Sequence, residues 1–321
     1  RRPGTTFVAE VANSANKTRL IPFEFSTTQT YMLEFSNLKM RVYKDRGSVL
    51  EGDKTISAIT KANPAVVTAT SHGYSNGDEV VISGVVGMTE VNGKRFLVAN
   101  KTTNTFELTD KDGTNINSSS FTTYTSGGVA NKVFEITTPY TTAQLFDLKF
   151  AQSADVMYIT HPEHEVEKLS RTAHTSWTLT DVDFTNGPYM DANITTTTLN
   201  PASHTVGTGV AVVASAVTGI NSGSGFLSTD VGRLLQFGTG YGKITAVADT
   251  LNITITIIED LGSATASANW SLGSFSDTTG HPSCVTFFEQ RLVFAGTTSQ
   301  PQTIFFSKSG DYENMDANIG G

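Results

Sequence analysis

Apolar and polar residues alternate in short runs along this chain, and turn residues break the runs. The segments Thr6 to Val11 and Arg19 to Phe25 read as half-buried strands. A hairpin follows in YMLEFSNLKMRVYKDRG, with Tyr31, Leu33 and Phe35 on one face, a turn at Ser36-Asn37, and Met40, Val42 and Tyr43 on the return. Two later stretches share this layout, DVMYITHPEHEVEKLSR from Asp155 and QRLVFAGTTSQPQTIFFSKSG from Gln290. The three starts lie 124 and 135 positions apart. Removing the intervening segments Ala58–Gly128 and Asp191–Phe275 leaves a period of roughly 50 residues, within the range of propeller blades.

The intervening segments carry β patterns of their own. In the first, Asn76-Gly77 and Asn92-Gly93 mark tight turns, and Val80 to Ile82, Arg95 to Val98 and Thr105 to Leu108 are the strands between them. Five short strands in about 50 residues predict a small barrel or sandwich. In the second, Ile253, Ile255 and Ile257 alternate with threonine, and its hairpin KITAVADTLNITITIIED has the layout of FLVANKTTNTFELTD in the first. A short helix is expected at Thr141 to Phe150, capped by Thr141 or Thr142, with Leu145, Phe146 and Leu148 as its apolar contacts. WTLTDVDF, Trp177 to Phe184, reads as a strand.

These elements predict an all-β chain: a propeller-like body, incomplete here, in residues 1–57, 129–190 and 276–321, and two inserted β modules in 58–128 and 191–275. Its 321 residues exceed one ordinary core. Only 16% are charged, and Thr, Ser, Gly and Asn abound, as in a β protein with many turns. No stretch reads as a membrane-spanning helix or a signal peptide. The first residue is arginine rather than methionine, which reads as a portion of a longer product. A net charge of −8 argues against a surface that grips nucleic acid through its phosphates, although a passage through which DNA slides is a different case. The single cysteine, Cys284, excludes an internal disulfide framework and any cysteine-rich zinc site, and its apolar surroundings predict a packed thiol.

Candidate chemistry is sparse. His161, Glu163, His164 and Glu165 come nearest to a metal cluster, with His174 the next histidine, but Pro162 breaks the spacing and a solvated hairpin turn is the better account. The acidic pairs Asp181 with Asp183 and Glu259 with Asp260 have the chemistry of glycoside hydrolysis, yet carboxylates on a solvent-facing strand are commoner. No Gly-x-Ser-x-Gly elbow is present, and Gly223 to Gly225 reads as a linker. Gly238, Gly240 and Gly242 precede a β pattern at Lys243 to Val247 rather than a helix that could hold phosphate. The expectation is therefore of no catalytic, cofactor or metal site. Trp177, Phe184, Leu292 and Phe294 are the expected core.

Several stretches resemble the tail nozzle proteins of short-tailed bacteriophages, also called tail tubular protein B, and the related DNA-stabilisation proteins. They are RRPGTTFVAEV (Arg1 to Val11), Leu148 to Arg171 with Trp177 to Tyr189, and Trp270 to Met315. Asn63 to Leu108 also resembles the small β module that phage proteins share with the first catalytic-cysteine half-domain of ubiquitin-activating enzymes; it contains no cysteine, so the resemblance implies the fold and no ubiquitin chemistry. The nozzle resemblance implies a virion protein, assembled in the host cytoplasm, that forms a ring, usually sixfold, at the tail tip. Its implied partners are the adaptor ring above, tail fibres or spikes, the host envelope, and double-stranded DNA in passage through a channel; the chain's net charge leads to the expectation that the channel wall is acidic or neutral. The alternative is a receptor-binding or fibre-attachment protein recognising host glycan, with Tyr74 or Tyr124 stacking on sugars. A tail-borne glycan hydrolase is the weaker third reading.

Overall fold

The structure, a computed structural model, describes residues 7–26 and 29–316. It is all-β, and the described ladders between its strands are antiparallel. The described residues hold short 3-10 turns and no α-helix. The chain divides into two compact units, one with the residues up to Leu145 and Arg171–Trp177, the other with Phe146–Ser170 and the residues from Thr178 on.

In the first unit, β1 (Arg19–Ser26), β2 (Gln29–Ser36), β3 (Lys39–Lys44) and β4 (Gly47–Ser48) run as a meander. The inserted strands follow: β5 (Lys54–Thr55), β6 (Ala58–Ile59), β7 (Val66–Thr68), β8 (Glu79–Val86), β9 (Lys94–Ala99), β10 (Thr105–Thr109) and β11 (Ser126–Lys132). The chain then returns as β12 (Glu135–Thr137), which pairs with β3. Tyr31, Leu33 and Phe35 are buried with Met40 and Val42, as the alternation predicts. Trp177 packs edge-on against Phe23 and Tyr31, with ring centroids 4.8 and 5.2 Å apart.

The inserted sheet has the order β5-β11-β8-β9-β10-β7-β6, so its two edges are β5 and β6. Only Ile56 and Ser57 separate those strands in sequence. Thr55 and Ala58 therefore lie within about 11 Å of one another, and the sheet must curl until its edges nearly meet. The inward positions, among them Tyr74, Val80, Ile82, Phe96, Val98, Phe106 and Leu108, fill the barrel.

The second unit opens with β13 (Lys149–Ser153), β14 (Val156–His161), β15 (His164–Ala173) and β16 (Ser176–Asp181), a four-stranded meander whose β15–β16 tip belongs to the first unit. A second curled sheet comprises β17 (Leu199–Pro201), β18 (Gly207–Ala214), β19 (Leu234–Phe237), β20 (Gly240–Val247), β21 (Asn252–Ile257) and β22 (Trp270–Leu272). Its order is β17-β18-β21-β20-β19-β22, and a bridge from Leu199 to Ser267 ties one edge to the residues just before the other. Ile253, Ile255 and Ile257 point inward with Phe237, Ile244 and Trp270. Last come β23 (Cys284–Phe288), β24 (Arg291–Ala295) and β25 (Ile304–Phe306). This sheet packs Leu292, Phe294 and Phe305 against Tyr158, Val166 and Val182 of the four-stranded meander.

Several expectations need correction. Residues 7–11 form no strand, and Thr6 lies outside the described residues. Lys111 Nζ donates to the carbonyls of Glu10 and Val11, so side chains rather than a ladder satisfy this backbone. The first hairpin turns at Asn37-Leu38, one residue later than expected, with Leu38 at φ 59°. The expected helix at 141–150 is a run of turns that passes into β13 at Lys149. Two adjacent threonines are poor helix formers and ten residues barely repay nucleation. Burial of Leu145 and Leu148 in turns wins, while Phe146 is 58% exposed. The strand from Trp177 ends at Asp181, and Phe184 beyond it is half-buried against Phe294 and Phe275. Cys284 is exposed. Val285 and Phe287 take the inward face of β23, so strand parity turns Cys284 outward.

Candidate functional site

A group of ionisable side chains in the second unit arises from two short motifs, Glu-Val-Glu on β15 and Asp-Val-Asp at the end of β16. Val182 N–H donates to Val166 O at 2.8 Å, and both valines enter the core. Alternation then turns Glu165, Glu167, Asp181 and Asp183 to the opposite face. Lys243 Nζ on β20 meets Asp183 Oδ1 at 3.0 Å, and His281 Nε2 lies 3.0 Å from Asp277 Oδ1. Glu165, Asp183, Lys243, Asp277 and His281 line one cleft with Phe184 and Phe275. Three carboxylates face one lysine and one histidine, which leaves the cleft electronegative.

Desolvation, followed by the charge of Asp181, raises the Glu165 carboxyl above its ordinary value. Glu167 is buried and is pushed up to about 7 by desolvation, by the Asp181 charge and by a hydrogen bond with Asp181. The fold thus retains a proton that the unfolded chain releases near pH 4.5. This group's contribution to stability falls as pH rises from about 4.5 to about 7, then stays flat. Glu167→Gln is expected to remove that slope and to raise stability at pH 8 by about 2 to 3 kcal/mol. Urea midpoints measured from pH 4.5 to 8 check it, and parallel curves for the two proteins would refute the assignment.

A second charged group, in the first unit, joins the inserted barrel to the β1–β4 meander. Glu79, whose side chain is 1% exposed, receives Arg41 Nη1 at 2.7 Å, Arg95 Nη1 at 3.0 Å and Lys111 Nζ at 3.3 Å. Arg41 also reaches Glu135 of β12 at 3.2 Å. Burial opposes ionisation of Glu79, but the charges of Arg41 and Lys111 and hydrogen bonds from Arg95 and Arg41 outweigh it and hold the carboxyl below its ordinary value. This arrangement fixes one body to another and offers no group free for chemistry.

The other sequence candidates take structural places. His161 and His164 adjoin, with ring centroids 5.2 Å apart, and burial lowers the pKa of both. The turn is not wholly solvated, since His161 is 2% exposed. His174 instead lies against Tyr31 in the first unit. Among the described residues, no three His, Cys, Asp or Glu side chains are placed to hold a metal ion. Tyr74 is buried and its hydroxyl donates to Ala130 O, so it presents no face to a sugar. Tyr124 packs against the barrel core and donates to Ile56 O and Gly127 O. Asp260 Oδ1 accepts from His204 Nδ1 at 3.0 Å on the surface.

The glycine clusters are packing devices. A Cβ on Gly240 would stand 2.3 Å from Asp260 O, so glycine there permits close approach of the β20 and β21 ends. Gly225 has φ 76° and a Cβ would meet Thr250 O at 2.5 Å, which makes the segment an ordered turn rather than a linker. Sequence reasoning missed Lys243, Asp277 and His281, and also the buried Asp230–Arg233 pair at 2.9 Å. The Glu-Val-Glu and Asp-Val-Asp spacing was the available signal for the acidic face.

Residues 62–133 match the family model described as the ubiquitin-activating enzyme E1 FCCH domain. The span contains β7 to β11 and runs past Leu108 to include β11, which closes onto β5 and β8. It holds no cysteine. Comparison with curated proteins yields no match. The inserted barrel of the first unit is therefore similar to the FCCH domain over most of its strands.

Proposed function

We propose that this chain is a structural virion protein, a subunit of the nozzle ring that closes a phage tail and conducts DNA during ejection. The observation that carries the reading is the construction of the second unit, in which a four-stranded and a three-stranded antiparallel meander pack face to face through Tyr158, Val166, Leu292 and Phe294. Face-to-face meanders are how propeller blades stack. The curled sheets interposed between such meanders supply lateral surface without interrupting the body, as subunits of a closed ring require. An acidic chain also suits a passage for DNA, because basic walls would hold phosphates strongly.

In this reading the partners are further copies of the chain in a ring of usually six, an adaptor ring, tail fibres or spikes, and the host envelope. Of the two tyrosines in the glycan-binding alternative, Tyr74 is buried, and Tyr124 is partly buried against the barrel core with its hydroxyl bonded to backbone. The test is quantitative mass spectrometry of purified particles. The chain is expected at six copies per particle. Its absence from washed particles would overturn the proposal.

A further inference from the structure

Among the described residues the sheet β23-β24-β25 has three strands, and β25 is its outer edge. Ser307 N–H donates to Leu292 O at 2.8 Å and Gly296 N–H to Thr303 O at 3.4 Å. Phe305, midway between, faces Phe294. Residues 303, 305 and 307 therefore turn their peptide groups toward β24, and Ile304 and Phe306 turn theirs away. Their side chains are 59% and 45% exposed. Natural edges are guarded by lysine, proline or a bulge, and Ile304-Phe305-Phe306 has none of these.

This edge borders a groove lined by residues 303–306 and, among others, by residues 188–192. The neighbouring meander β13-β14-β15-β16 follows the same up-and-down course and carries a fourth strand on its third. The groove is also charged. Lys308 is paired with Asp316 at 2.9 Å and Arg291 donates to Ser307 O, whereas Asp191 and Glu289 have no ion-pair partner among the described residues.

We propose that the outer edge of β25 takes up an extended segment of a partner chain as a fourth strand, with apolar side chains at alternate positions and lysine or arginine at its ends. Backbone groups of Ile304 and Phe306 supply the pairing, the exposed Ile304, Phe306 and Phe288 meet the apolar side chains, and Asp191 and Glu289 complement the basic ends. Whatever particle the chain serves, this is a site for strand addition.

The test uses the full chain and a fluorescein-labelled heptapeptide of alternating valine and threonine with lysine at each end, read by anisotropy. The peptide is expected to bind, and N-methylation of its alternate amides should weaken binding at least ten-fold. Ile304→Pro should do the same without unfolding the sheet, because that N–H points away from β24 and proline there removes no ladder bond. Trp270 emission checks the fold, and Ile304→Lys is a second variant with the same expectation. Equal binding of both peptides, or binding indifferent to both variants, overturns the proposal. Self-association in sedimentation velocity that Ile304→Pro abolishes, with no peptide binding, overturns it in favour of a second copy.

Discussion

Glu79→Ala is expected to destabilise the first unit by about 3 to 5 kcal/mol. The carboxylate is the shared partner of Arg41, Arg95 and Lys111, and the Arg41 side chain is itself 4% exposed. Removing Glu79 leaves a desolvated guanidinium with Glu135 as its remaining ion-pair partner and Glu34 across the β2–β3 ladder. The chain has two tryptophans, and Trp177 belongs to the first unit while Trp270 belongs to the second. Urea unfolding of single-tryptophan variants separates the two. The Trp177 transition should move and the Trp270 transition should stay. The acid limb should change as well, because a carboxyl held below its ordinary value stabilises above the unfolded pKa and is lost as pH falls through the folded one. Glu79→Gln should flatten that limb. An unchanged Trp177 transition would show that the network does not anchor the barrel.

Leu292→Ala is expected to cost about 2 to 5 kcal/mol in the second unit. Leu292 is fully buried at the start of β24, among Phe294, Tyr158, Val166 and Val182, where the two meanders meet. Truncation leaves a cavity between two sheets whose backbones are held by their own ladders, so little collapse can refill it. Its N–H donates to Ser307 Oγ, and that bond survives the substitution. The loss should appear in the Trp270 transition. A shift below about 1 kcal/mol would mean that the sheets do not depend on this contact.

Much of the fold was legible because strands write their period directly into sequence. Ile253, Ile255 and Ile257 all point into the second curled sheet, and the hairpin faces of Tyr31, Leu33, Phe35, Met40 and Val42 are buried as the alternation requires. Closure was not legible. The inserted barrel is completed by β5 and β6, strands of two residues each, too short to have a period. The helix expected at 141–150 rested on three apolar residues, of which Leu145 and Leu148 are buried by turns and Phe146 is exposed. Cys284 failed by one position of parity, since apolar neighbours do not reveal which face of a strand is covered.

The charged groups were harder still to read. Glu79 and Arg41 lie 38 positions apart on different sheets, and no local pattern joins them. Only the Glu-Val-Glu and Asp-Val-Asp motifs betray a shared acidic face, and the groups that meet it come from distant elements, Lys243 from β20 and His281 from the loop before β23.

The central claim, a ring subunit at a phage tail tip, is tested most directly by electron cryomicroscopy of intact particles carrying a tagged copy of this chain. The account predicts six tagged densities in one ring, continuous with the adaptor above and surrounding an open channel. Tag density scattered on fibres, or missing from the tail, would contradict it.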